Sequence, residues 1–147
     1  MYKHILIPTD GSELSDKAIE AGIDFAREAQ ARVTGFTAVP EYPIPSEVEL
    51  MARRVLSLEE YEHQAKGKAE TILEKIAVRA RAAGVTYDAD YAQSNRPFEA
   101  IIRAAQKHGC DLIFMASHGR RGISALIHGS QTQAVLTHST IPTLVYR

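Results

Sequence analysis

The amino-acid sequence predicts an α/β domain in which a five-stranded parallel sheet lies between two layers of helix. Three observations lead there. Short apolar runs alternate with longer stretches of helical period, in the order β-α-β-α-β-α-β-α-β. Glycine, proline or a capping residue marks most of the junctions. At 147 residues, 45% of them hydrophobic, the chain suits one domain over 1–147 and buries about 70% of its unfolded surface.

Ile5-Leu6-Ile7, closed by Pro8, has the density of a central strand covered on both faces. Asp10-Gly11-Ser12 turns the chain, and Ser12 is placed to cap a helix with Glu13 and Asp16 in its first turn. Leu14, Ala18, Ala21, Gly22, Phe25, Ala26 and Ala29 give that helix an inner face. Arg32 to Val39 forms the second strand. Pro40, Pro43 and Pro45 break regular structure, so residues 40–57 read as a loop with room for a helical turn. From Leu58 a long helix places Tyr61, Ala65, Ala69, Ile72, Leu73, Ile76 and Ala80 on one face and stops at Gly84. Thr86 to Ala92 is the third strand, with Tyr87, Ala89 and Tyr91 alternating. Pro97 opens the next helix, lined by Phe98, Ile101, Ile102 and Ala105 and ended by Gly109. Leu112–Ala116 is the fourth strand, a helix begins near Gly129, and Pro142 to Tyr146 is the fifth strand.

A net charge of -1 gives no basic surface for nucleic acid or anionic lipid. No apolar run approaches the 18 residues of a membrane span, and the opening residues do not resemble a secretion signal. The lone Cys110, read as a half-buried thiol, excludes an internal disulfide. A cytoplasmic protein is expected.

In an open parallel sheet, ligands bind beyond the carboxyl ends of the strands where the strand order reverses. The first and fourth strands end there in Thr9-Asp10 and Ser117-His118-Gly119. Gly119 and Gly122 let backbone approach a ligand closely, and Gly129-Ser130 supplies N–H groups at a helix start plus one hydroxyl. Together they describe a phosphate cradle. Asp10 would reach a ribose hydroxyl or a water on a bound cation; the plainer alternative makes it a turn residue.

Other nucleotide signatures are missing. The sequence has no G-x-x-x-x-G-K-[ST], and no G-x-G-x-x-G follows the first strand. A phosphoryl-accepting receiver would need clustered acids where Asp10 stands alone. Ser117 and His118 leave their strand as neighbours with no third partner, which does not make a hydrolytic triad. His118, His128 and His138 are ten residues apart, not at the i, i+4 spacing of a helical metal pair.

These residues resemble the universal stress protein family. Ile5-Leu-Ile-Pro-Thr-Asp-Gly-Ser12 is similar to its first strand and turn, Asp111 to Gly119 with Gly129-Ser130 to its signature region, and Ile141-Pro-Thr-Leu-Val145 to its closing strand. The ATP-binding branch carries G-x2-G-x9-G-[ST]. Here the second glycine falls on Gly119 and the end on Gly129-Ser130, but the first falls on Ala116, whose methyl would crowd the ribose. The resemblance implies a single-domain, Rossmann-like (adenine nucleotide α-hydrolase-like) three-layer sandwich of strand order 3-2-1-4-5. It implies ATP as ligand, with Mg or Mn held mainly by the phosphates and no direct side-chain ligation of metal. Asp10 would meet the ribose, and Pro8, Thr9, Ala38 and Met115 would border the adenine. Gly119, Arg120, Gly129, Ser130, Gln131 and Thr132 would surround the phosphates, with Ala116 and His118 beside the nucleotide. It also implies a homodimer through Thr143, Leu144, Val145 and Tyr146. In Ser94-Asn-Arg-Pro97, Asn95 replaces a glycine usual for the family, and asparagine tolerates positive φ.

The expectation is therefore a nucleotide-binding regulatory module with little or no hydrolysis. A dimeric interaction module that binds no nucleotide, and a slow nucleotide hydrolase, stand as the alternatives.

Overall fold

The computed structural model describes residues 1–53, 55–117 and 130–147. In chain order the elements are β1 (His4–Pro8), α1 (Glu13–Ala29), β2 (Arg32–Val39), α2 (Glu47–Met51), α3 (Leu58–Ala83), β3 (Tyr87–Gln93), α4 (Pro97–Lys107), β4 (Leu112–Ala116), α5 (Ser130–His138) and β5 (Thr143–Tyr146). The strands form one sheet in the order β3-β2-β1-β4-β5, and every pairing is parallel. The expected fold class and strand order hold. The helical turn allowed for in 40–57 is α2.

Alternation along the central strands divides the interior in two. Ile5 and Ile7 turn to the face covered by α1 and α3, where they meet Ile19, Ile23, Ile76 and Phe114. Leu6 turns to the other face and packs with Phe36, Ile101, Ile113, Met115 and Val135 beneath α4 and α5. All five residues of β1 are buried, which accounts for the unbroken apolar run from Ile5 to Pro8.

Three local expectations need correction. Leu14 is 54% exposed, and the inner stripe of α1 is Ser15, Ala18, Ile19, Gly22, Ile23 and Ala26. The expected stripe ran through Leu14 and so missed the two isoleucines one step round the helix. Ser12 holds the N-cap position, but its hydroxyl caps no helix N–H. On the edge strand β3, Tyr87 and Tyr91 pack against the first core as expected, but the short Ala89 between them is exposed.

Gly35 allows close packing of β3 and α3 across β2. A Cβ there would come within 2.5 Å of the Tyr87 hydroxyl and 3.1 Å of Ile76 Cδ1. The Tyr87 hydroxyl donates to the Leu73 carbonyl at 3.2 Å, and burial, with Glu74 and Asp88 nearby, pushes its pKa up to about 12. Cys110 is buried rather than half-buried, and burial pushes its thiol up to about 11. Among the described residues no helix is long and apolar enough to cross a membrane.

Candidate functional site

The strand order reverses between β1 and β4, and there the two strands part. Their register pairs are Ile5–Leu112 and Leu6–Ile113 only. Pairing of β1 with β2 continues to Pro8–Phe36, with the Thr9 N–H donating onward to the Phe36 carbonyl at 2.9 Å. Pairing of β4 with β5 continues to Ala116–Tyr146. The reason lies in Pro8. Successive residues of a strand direct their N–H groups to opposite sides. Since Thr9 donates to β2, the nitrogen of Pro8 faces β4 and has no hydrogen to give. A ladder bond is missing where a crevice would open.

Apolar side chains lie at this end of the sheet. Met115 belongs to the core beneath α4 and α5, and Ala38 packs against it. Pro8 shares their face through its register with Phe36. Asp10 stands at the lip, where its Oδ1 accepts from the Ser12 N–H at 2.9 Å and the Ser15 hydroxyl at 3.0 Å. The Thr9 hydroxyl accepts from the Gly11 N–H at 3.1 Å. The carboxylate thus holds the turn, as the plainer reading of Asp10 expected.

Helix α5 begins beside the tip of β4. The buried Thr132 hydroxyl donates to the Ala116 carbonyl at 3.0 Å, and Gln131 Oε1 accepts from the Phe98 N–H at 2.9 Å. One bond ties the helix start to the sheet edge, and the other ties it to the start of α4. Ser130, the first residue of α5, is exposed. The structure therefore brings Pro8, Thr9, Asp10, Ala38, Met115, Ala116, Ser130, Gln131 and Thr132 to one edge of the sheet. His118, Gly119, Arg120, Gly122, His128 and Gly129 lie outside the described residues. Asn95 takes no positive φ; its side chain instead accepts from the Glu41 N–H at 3.0 Å. Ser15 and Phe36 escaped the sequence reading. Ser15 could have been suspected from its place three residues after the N-cap; nothing local marks Phe36.

Among the described residues no group of three or more His, Cys, Asp or Glu side chains is placed to hold a metal ion. A perturbed cluster lies elsewhere. Burial lowers the His4 pKa, helped by Arg32 and His108, while its Nε2 lies 2.7 Å from the Thr34 hydroxyl. Burial would raise the Asp90 carboxyl, but hydrogen bonds from His108, Lys107 and the Tyr91 N–H outweigh it and hold the group low.

The universal stress protein family model matches residues 1–147. The chain belongs to the universal stress protein family. A universal stress protein of Thermus aquaticus is 33% identical, with all of both chains covered. Universal stress protein MJ0577 of Methanocaldococcus jannaschii is 30% identical across all of this chain and 96% of its own. The solved structure of MJ0577 superposes with a TM-score of 0.80 and 26% identity, covering 99% of this chain and 95% of that one. Two more distant members share the fold. One was solved in complex with cAMP (TM-score 0.68, 21% identity, 99% and 97% covered). The other, from Archaeoglobus fulgidus, was solved in complex with dAMP (TM-score 0.65, 15% identity, 99% and 98% covered).

Proposed function

We propose that this universal stress protein binds ATP or another adenine nucleotide in the opening between β1 and β4, and acts as a regulatory module with little or no hydrolysis. The observation that carries this reading is the parting of the two strands at the switch point with α5 starting beside it. Relatives of the same fold solved with cAMP and dAMP support the ligand class. The residues suit such a group. Pro8, Ala38 and Met115 offer an apolar bed for a base, with Thr9 at its edge. Asp10 is placed for ribose hydroxyls, beside Ala116. His118 would border the nucleotide, and Gly119, Arg120, Gly129, Ser130, Gln131 and Thr132 would surround the phosphates, where helix-start N–H groups favour anions. Mg or Mn would arrive with the phosphates. A cytoplasmic setting agrees with a lone, buried thiol. We also propose a homodimer through β5, whose outer edge has no strand partner among the described residues.

Thermal unfolding with Mg-ATP tests the binding. Saturation near 100 times Kd stabilises the fold by about 2.7 kcal/mol, or roughly 5–10 °C for a chain of this size. Asp10→Asn keeps the Oδ1 acceptor that holds the turn and weakens a charge-assisted bond, so ATP affinity should fall about tenfold. Ala116→Gly should tighten ATP about fivefold by removing the methyl at the ribose, while costing roughly 0.5–1 kcal/mol as a glycine in a strand. An unmoved midpoint at millimolar Mg-ATP contradicts the proposal.

A further inference from the structure

The excursion between β2 and α3 is shaped with care but buries almost nothing. Its neck is clasped: the Tyr42 hydroxyl donates to the Leu56 carbonyl at 2.6 Å, and the Tyr42 and Tyr61 rings meet edge-on with centroids 5.4 Å apart. The Tyr61 hydroxyl donates to the Pro40 carbonyl. Inside the neck, Ser46 and Glu49 form a reciprocal capping box at α2, and Ser57 and Glu60 form another at the start of α3. Tyr61 anchors the neck on the Val39, Ala65 and Ala69 cluster, local hydrogen bonds shape the rest, and α2 has no buried residue.

What this frame presents is apolar. Ile44, Val48 and Met51 are 93%, 75% and 85% exposed. Val48 and Met51, three residues apart on α2, share a face of that helix, and Ile44 stands in the extended chain just ahead of the Ser46 cap. Leu50, Leu56 and Leu58 are exposed in the same segment. Scattered apolar residues at a surface need no explanation, but a run of them on a locally fixed frame marks an interaction site.

Charge decides among occupants. Residues 41–62 carry six glutamates against Arg53 and Arg54, in a chain whose net charge is -1. Among the described residues none of these glutamates makes an ion pair. A second copy docked through the same face about a two-fold axis would set glutamates against glutamates. An anionic lipid surface would be repelled as well. A helix with an apolar stripe flanked by Lys and Arg matches both features.

We propose that this excursion is a docking platform for a basic amphipathic helix, with Ile44, Val48 and Met51 receiving its apolar stripe and the glutamates its cations. The proposal stands apart from nucleotide binding.

The test is an NMR titration of the whole chain with a synthetic Leu/Lys peptide of about 18 residues, long enough to hold a helix. A scrambled peptide of equal composition and a Leu/Glu peptide with the same stripe serve as comparisons. Amide shifts concentrated in 44–60, weakening with salt, are expected for the Leu/Lys peptide alone. The triple variant Ile44→Ser, Val48→Ser, Met51→Ser should lose at least about tenfold in affinity, with its unfolding midpoint unchanged because the positions are exposed. Shifts elsewhere, no shifts, or equal binding of either comparison peptide overturn the proposal. So does self-association that the triple variant abolishes in sedimentation, or co-sedimentation with phosphatidylglycerol vesicles.

Discussion

At the scale of single residues, His4 links the fold to pH. It is buried, its ring nitrogen engages Thr34, and its folded pKa lies below the ordinary value. The groups around it are mixed: Arg32 and His108 disfavour the charged ring, and Asp111 favours it. A lowered folded pKa means the unfolded chain binds more protons. The stability from a neutral His4 is therefore full above the unfolded value near 6.5 and falls as pH drops through the folded one. Urea midpoints of the wild type should decline from pH 7 towards pH 5, and His4→Gln should flatten that decline. A wild-type midpoint level across that window contradicts the assignment. Nothing in the sequence announced this histidine, because its effect depends on Thr34 and His108 arriving from other elements.

Elements show why most of the fold was legible. Leu112–Ala116 and Arg32–Val39 stand where the sequence placed them: the first is a continuous apolar run between turns, and the second is rich in β-branched and aromatic residues. Gly84 caps α3 in the left-handed conformation with φ of 70°, as a glycine after a helical stretch leads one to expect. Errors arose where a face had to be chosen. The phase of α1 was set by Leu14, whereas helix and sheet together bury Ile19 and Ile23. Half of the proposed site was legible for a similar reason. Pro8 and Ala116 end strands and Asp10 stands in the turn just beyond β1, and topology alone carries strand ends to one edge. Gly35 gives an element-level prediction. Gly35→Ala drives a methyl into the Tyr87 ring and Ile76 and should cost about 1–3 kcal/mol, read from denaturant midpoints. A loss below 0.5 kcal/mol would mean that Tyr87 can step aside.

The whole molecule joins two surfaces by one sheet. The proposed crevice lies between β1 and β4, and the proposed dimer edge is β5, directly beyond β4. Half-buried Leu144 and Val145 lie on that outermost strand, so Val145→Lys should convert a homodimer to monomer in sedimentation equilibrium while the fold persists. A wild type monomeric at high micromolar concentration contradicts the dimer. The central claim, an adenylate held at the switch point, is tested most directly by titrating the isotope-labelled chain with Mg-ATP and following its amide resonances. Shifts should gather at Thr9, Asp10, Ala38, Met115, Ala116 and Ser130 through Thr132, and spare the opposite edge of the sheet at Lys3, Gln30 and Gly84. Resonances unmoved at millimolar Mg-ATP, or moved only at that opposite edge, would contradict it.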